Sequence, residues 1–308
     1  MNRHLIPPTR KKGYLALWLL TASLLIATGA QPALAGAESC PGSSCFAVSD
    51  GIRVHYQNHG QGQEALVFVH GLACDLSFWR SQIPVLAKER RVIAVDLPGH
   101  GQSDKPPVSY TQDLFARGLA AVLDKAGVDQ AVLIGHSMGL PVARQFIRQH
   151  PDRAKALVSV DGALFRVPKD PEELEKWKKK NAQLVMNLKM LGFKEFAGLW
   201  VESMLVEATP DDLVREIKSK MQATPQHVVA SAFENLCEPD IWSEEPVQTP
   251  TLAIYAQNQH LPPNNESYLR RLFPKLKYQE WPEVSHFLMM EKPEKFNQAL
   301  LKYLAGLN

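Results

Sequence analysis

The pentapeptide GHSMG at residues 135–139 constrains the fold of this chain more than any other feature. It follows an apolar run at 131–134 and precedes residues with helical spacing, so the sequence predicts a strand, a sharp turn and a helix. Such a turn lifts the hydroxyl of Ser137 out of the sheet, and the flanking glycines leave room for the neighbouring strand and helix. The start of the helix supplies backbone N–H groups where negative charge on a bound oxygen would develop. The segment therefore predicts a nucleophilic serine.

Eight short segments with strand character alternate with helical ones along the chain. This alternation predicts an α/β fold with a mostly parallel sheet flanked by helices. The predicted strands span residues 45–48, 52–56, 66–69, 91–95, 132–134, 156–160, 251–256 and 277–281. The predicted helices of this part of the chain span residues 77–88, 114–126, 140–149, 265–273 and 293–305.

The alternation stops after the sixth predicted strand. A highly charged stretch at 169–180 is followed by apolar residues at helical spacing, and Pro210 and Pro225 divide the region into short helices. We therefore predict an α/β core at 36–165 and 246–308, interrupted by a helical cap at 166–245.

The first 35 residues have the composition of a secretory signal peptide. Three cations at 10–12 precede an apolar run at 14–27, and Ala33 and Ala35 form a small-x-small cleavage site. The alternative is a single membrane anchor, although the run is short for a membrane span. Cleavage would remove four cations and no acid, which shifts the formal net charge from +2 to −2. We expect a secreted or periplasmic protein with no stable membrane anchor, and no basic surface for nucleic acid.

Four cysteines, Cys40, Cys45, Cys74 and Cys237, allow three complete pairings. Export makes disulfides feasible, and the closeness of Cys40 to Cys45 favours a local bridge. The other two cysteines would then pair, and free buried thiols are the alternative. No spacing of Cys and His resembles a zinc site.

A nucleophilic serine needs a base and donors for the oxyanion. His286 is the predicted base, because it follows the last strand and precedes the last helix, where this kind of fold delivers a histidine to the serine. The predicted oxyanion donors are the N–H groups of Met138, directly after the serine, and Leu72, in the loop after the third strand. His70 is interpreted as a residue that braces this loop.

Four sequence blocks together resemble the α/β-hydrolase superfamily, in its cap-bearing branch of esterases, epoxide hydrolases and haloalkane dehalogenases. They are HG at 70–71, DLPGHG at 96–101, GHSMG at 135–139, and the segment from SH at 285–286 to EKP at 291–293. The resemblance implies a catalytic triad, no cofactor and a cap that lines the acyl pocket. Epoxide hydrolases and dehalogenases use an aspartate nucleophile, so Ser137 argues against both activities.

The triad acid departs from the pattern of most of the superfamily. There the acid follows the penultimate strand, but here that turn reads AQNQH at 256–260 and has no carboxylate. Some members carry the acid after the strand that precedes the cap, and Asp161 occupies that place. We predict Asp161 as the acid, with Glu266 or the side-chain amides of Asn258 or Gln259 as alternatives.

The expected substrate is a small-molecule ester. We predict an apolar pocket from Phe165, Phe287 and Leu288 of the core with Met190 and Phe193 of the cap, which suits a small to medium hydrophobic ester. The predicted activity is that of a serine esterase. A lactonase or a C–C bond hydrolase with the same triad, or a catalytically silent binding protein, are the alternatives.

Overall fold

The computed structural model describes residues 43–62, 64–257 and 261–307. One eight-stranded sheet forms its centre, with the strand order β1-β2-β4-β3-β5-β6-β7-β8. The strands are β1 (Ser44–Ser49), β2 (Ile52–His59), β3 (Ala65–Val69), β4 (Arg91–Val95), β5 (Ala131–His136), β6 (Ala154–Val160), β7 (Thr251–Ala256) and β8 (Leu276–Trp281). All eight predicted strands are present.

Strands β3 to β8 are parallel, whereas β2 is antiparallel to both of its neighbours. Every residue of β3, β5 and β7 is buried, as the continuous apolar sequences of strands covered on both faces require. Because parallel strands end at the same edge, the loops after β3, β5, β6 and β8 meet there. These loops carry the predicted catalytic residues and oxyanion donors.

Ten α-helices accompany this sheet in the described part of the chain. They are α1 (Ile83–Leu86), α2 (Gln112–Lys125), α3 (Gly139–Gln149), α4 (Pro171–Leu191), α5 (Phe193–Ser203), α6 (Asp211–Gln222), α7 (Gln226–Leu236), α8 (Asn265–Leu272), α9 (Leu288–Glu291) and α10 (Pro293–Ala305). The helix predicted at 77–88 is wrong in extent, because a 3-10 turn at Leu76–Trp79 precedes the short α1. Asp75 caps that turn by accepting the N–H of Ser77.

Helices α4 to α7 lie between β6 and β7, within the stretch where the cap is predicted. Pro210 and Pro225 directly precede α6 and α7, since a proline is tolerated where helical N–H groups lack partners. No helix in the described part of the chain is long and apolar enough to cross a membrane. The predicted signal peptide at 1–35 lies outside the described residues.

The cysteines divide into two kinds. Cys45 is disulfide-bonded, whereas Cys40 lies outside the described residues. Cys74 and Cys237 are free thiols, so the prediction that they pair with each other is wrong. Burial raises the pKa of Cys237 to about 11, which keeps that thiol protonated at neutral pH.

Candidate active site

Ser137 occupies the turn between β5 and α3. Its φ of 50° lies in the left-handed region that residues with a side chain rarely adopt, a strain typical of a nucleophile elbow. Backbone bonds hold the turn: the Ser137 N–H donates to the Val160 carbonyl at 3.1 Å, and the Ser137 carbonyl accepts the N–H groups of Leu140 and Ala163, each at 3.0 Å. The ends of β5 and β6 and the start of α3 therefore fix the serine jointly.

Asp161 follows β6 and contacts the predicted base directly. Its Oδ2 accepts a hydrogen bond from Nδ1 of His286 at 2.5 Å, and its Oδ1 accepts the N–H of Ala256 at 2.9 Å. The carboxylate is held between β7 and the histidine, with 11% of the Asp161 side chain and 17% of the His286 side chain exposed. Of the predicted alternatives to Asp161, Glu266 is exposed and pairs with Arg270. The amides Asn258 and Gln259 lie outside the described residues.

Three residues for which no such role was predicted hold the backbone around His286 by hydrogen bonds. The His286 N–H donates to the carbonyl of Met204, which follows α5, at 3.1 Å. The His286 carbonyl accepts Nε2–H of His136 at 3.0 Å, and the Ser285 N–H donates to Oε2 of Glu291 at 2.6 Å. Burial, with His286 nearby, holds the pKa of His136 well below its ordinary value, so this ring stays neutral.

Glu291 links the loop that carries His286 to the helical insertion, which is the segment of α4 to α7 between β6 and β7. Its Oε1 also accepts the hydroxyl of Thr209, between α5 and α6, at 2.5 Å. We expect Glu291→Ala to free this loop and to lower kcat by about 100-fold with little change in KM, since small misplacements of a catalytic group have effects of this size. Glu291→Gln keeps an acceptor for the Ser285 N–H and should restore most of the rate. Steady-state kinetics on the two variants check this prediction; equal losses in both would contradict it.

The two predicted oxyanion donors have unengaged N–H groups. Within the described ranges, neither the Leu72 N–H nor the Met138 N–H donates to a backbone or side-chain acceptor, although Leu72 and Met138 are both buried. Both N–H groups are therefore free to donate to a ligand oxygen.

Two cavities adjoin the Asp161–His286 pair. The smaller contains Ser137 and has a volume of about 10 Å³, room for about one water molecule. The larger has a volume of about 400 Å³ and lies on the Asp161 side. Trp200, Met204 and Met221 of the helical insertion contribute to the wall of the smaller cavity.

The structure corrects three predicted pocket residues. Met190 is 77% exposed, on the outer face of α4. Phe193 is buried among the helices of the insertion and lines a different cavity, and Leu288 is fully buried in the core. Apolar spacing along a helix identifies a buried face but not which neighbour covers it. Phe287 lines the Ser137 cavity and Phe165 lines the 400 Å³ cavity.

His70 and Asp96 connect the loops beside the site. The His70 Nδ1–H donates to the Gly71 carbonyl at 2.7 Å, while its Nε2 accepts the Leu97 N–H at 3.0 Å, as expected for a bracing residue. Burial alone would raise the pKa of Asp96, but hydrogen bonds from His55 and from backbone N–H groups, with His70 nearby, lower it. The Asp96 carboxylate therefore has a structural role: it holds together the loops that follow β3 and β4.

Ser44, His55 and Asp96 form a hydrogen-bonded serine–histidine–aspartate chain elsewhere in the described part of the molecule. The Ser44 Oγ lies 2.9 Å from Nε2 of His55, whose Nδ1 lies 2.7 Å from Oδ2 of Asp96. Ser44 is exposed on β1, away from any strand-to-helix turn, and the carboxylate of Asp96 also accepts two backbone N–H groups. The site at Ser137 is therefore the better candidate.

The buried side chain of His100 should make the free energy of unfolding depend on pH. Burial and the nearby His70 lower its pKa to about 3. Between pH 3 and 6.5 the unfolded chain binds a proton at this position and the folded chain does not, so the free energy of unfolding falls as the pH is lowered through this range. The limiting slope for one such group is about 1.4 kcal/mol per pH unit. His100→Asn should flatten the slope measured by urea unfolding between pH 6.5 and 4.5; an unchanged slope would exclude His100 as its source.

Ser137, with a φ of 50°, lies between β5 and α3, and the hydrogen-bonded His286–Asp161 pair lies at the same edge of the parallel sheet. This arrangement is typical of a strand–turn–helix nucleophile elbow. A family model described as the alpha/beta hydrolase fold matches residues 64–293. The chain belongs to this family.

Similar proteins carry several activities. The chain is 31% identical over 281 residues to a dihydrolipoyllysine-residue acetyltransferase component of an acetoin cleaving system from Cupriavidus necator, covering 88% of this chain and 72% of the relative. It is 28% identical to a 2-hydroxy-6-oxononadienedioate/2-hydroxy-6-oxononatrienedioate hydrolase from Paraburkholderia phymatum. That match covers 82% of this chain and 91% of the relative. A thermophilic esterase from Thermogutta terrifontis superposes with a TM-score of 0.75 at 26% identity, covering 86% of this chain and 98% of the esterase.

Proposed function

We propose that this protein is a serine hydrolase that cleaves uncharged carboxylic esters with small to medium hydrophobic groups. The observation that carries the proposal is the 2.5 Å hydrogen bond between Asp161 and His286, together with the cavity that His286 and Ser137 both line. Nδ1 of the imidazole is engaged by the carboxylate, which leaves Nε2 to take a proton from the serine.

In the proposed reaction, Nε2 of His286 takes the proton of the Ser137 hydroxyl as Oγ bonds to the ester carbonyl carbon. Asp161 stabilises the resulting imidazolium, and the N–H groups of Leu72 and Met138 stabilise the oxyanion. The ester C–O bond then breaks and the imidazolium gives its proton to the leaving oxygen. Water, deprotonated by the same nitrogen, then attacks the acyl carbon. The acyl–Oγ bond breaks as the imidazolium returns its proton to Oγ, which releases the acid and regenerates the serine hydroxyl.

The walls of both cavities favour an uncharged substrate. Among the described residues that line them, none is lysine or arginine. A substrate carboxylate would lose its hydration there without gaining a countercharge. This favours esters, or lactones, which undergo the same chemistry, over diacids of the kind named for the Paraburkholderia relative. The engagement of His286 by Asp161 also argues against a catalytically silent binding protein.

Hydrolysis of a p-nitrophenyl ester series from acetate to dodecanoate tests the proposal. We expect turnover of the short and medium esters and none with Ser137→Ala, whose folding is checked by circular dichroism. Lack of turnover of the whole series by the wild-type protein would contradict an esterase function. Equal turnover by the Ser137→Ala variant would show that hydrolysis does not use this serine.

A further inference from the structure

The cavity beside Ser137 is too small for the proposed substrate. Its volume of about 10 Å³ compares with about 300–1,000 Å³ for sites that bind small molecules. An ester must therefore occupy additional space that borders the same catalytic residues.

The 400 Å³ cavity meets this requirement. It is lined by Asp161 and His286, by the segment after β6 that includes Phe165, and by the end of α5 at Ser203 and Met204. Cavities of about 420, 530 and 370 Å³ elsewhere in the described parts of the chain contain none of Ser137, His286 and Asp161.

Met204 and His286 are the residues that line both cavities, so they form the wall between them. His286 is fixed by the side chain of Asp161 and by its own backbone bonds. The Met204 carbonyl is fixed by the His286 N–H, but its half-buried side chain has three rotatable bonds. Met204 is therefore the residue of this wall whose side chain can change rotamer while His286 keeps its hydrogen bonds.

We propose that the 400 Å³ cavity binds the leaving alcohol of the ester and that the Met204 side chain is the gate that sets the size of that alcohol. This inference rests on the proposed esterase function. The acyl carbon is bonded to Ser137 in the intermediate, and the departing oxygen receives its proton from Nε2 of His286. In this proposal the alcohol oxygen therefore lies beside Nε2, and the rest of the alcohol extends past the Met204 side chain into the 400 Å³ cavity.

The cavity wall favours an uncharged alcohol with an apolar group. It combines the apolar side chains of Leu164, Phe165, Leu261 and Pro262 with the polar side chains of Ser203 and Asn265. The Asp161 carboxylate already accepts two hydrogen bonds, and the Tyr255 hydroxyl donates to the Gly162 carbonyl at 2.9 Å. An aryl or medium alkyl alcohol fits this environment.

Two ester series separate the alcohol from the acyl group: acetates of methanol, butanol, benzyl alcohol and 1-naphthol, and ethyl esters of increasing acyl length. Ser203→Trp narrows the large cavity from an exposed position, and Ala163→Leu fills it from the segment after β6. The measured quantity is the ratio of kcat/KM for 1-naphthyl acetate to kcat/KM for methyl acetate. We expect Ser203→Trp and Ala163→Leu each to lower this ratio by about tenfold. Met204→Ala should raise it.

The ethyl ester series and an exposed variant serve as controls. Acyl-length preference should be the same in Ser203→Trp as in the wild type, and Leu199→Ala, on the exposed face of the same helix, should leave both series unchanged. Circular dichroism establishes that each variant folds. Unchanged alcohol preference in folded Ser203→Trp and Ala163→Leu would overturn the inference while leaving the esterase proposal intact. Failure of the wild-type protein to hydrolyse any ester would overturn both.

Discussion

Asp161→Asn should lower kcat for p-nitrophenyl acetate by about four orders of magnitude, since this is the loss seen when the acid of a serine–histidine–aspartate triad becomes an amide. The amide preserves the shape of the side chain but cannot offset the charge of the imidazolium. It also permits the wrong tautomer of His286. Burst-phase and steady-state kinetics would measure the loss.

The matched control is Glu266→Gln, which changes the alternative acid in the same way. Glu266 is exposed and pairs with Arg270 at 2.6 Å, so we expect its variant to keep wild-type turnover. Near-normal turnover in Asp161→Asn, or a large loss in Glu266→Gln, would show that the 2.5 Å contact between Asp161 and His286 does not operate in catalysis.

Gly139→Ala should strongly lower the free energy of unfolding. A Cβ at this position would lie 2.4 Å from the carbonyl oxygen of Val69 and 3.0 Å from its carbonyl carbon. These are backbone atoms of β3, so α3 and the strand would have to separate, at a cost of about 3 kcal/mol in the free energy of unfolding. Urea unfolding measures the loss, and displacement of the elbow should abolish activity as well.

Gly198→Ala is the control for this substitution. Gly198 lies in α5 with nothing within 4 Å of an added Cβ. Alanine there should raise the free energy of unfolding by about 0.5–1 kcal/mol, because glycine is the poorer helix former. Similar losses in the two variants would indicate a general effect of the methyl group rather than the approach of α3 to β3.

The positions of Ser137, His286 and Asp161 could be predicted because each follows a strand of the parallel sheet. Chain order and strand identity are local properties of the sequence, and parallel strands bring their following loops to one edge. The choice between Asp161 and the turn at 256–260 depended on which strands are neighbours, and the pairing of β6 with β7 places the Asp161 carboxylate on the Ala256 N–H.

The walls of the site could not be predicted in the same way. The contacts of Met204 and Glu291 with the histidine loop join the loop to the helical insertion, and no local spacing encodes them. Met190 and Phe193 have the apolar character of pocket residues, yet one faces outward and the other packs within the insertion. The EKP segment at 291–293 was noted only as part of the resemblance, although Glu291 braces the loop that carries His286.

Active-site labelling followed by peptide mass spectrometry tests the central claim most directly. Incubation with a fluorophosphonate should place one phosphonyl group per chain on Ser137, and Ser137→Ala should remain unlabelled. Ser44 is the internal comparison, because its hydroxyl lies 2.9 Å from Nε2 of His55. Labelling of Ser44 in place of Ser137, or no labelling of a folded wild-type protein, would contradict the assignment of Ser137 as the nucleophile.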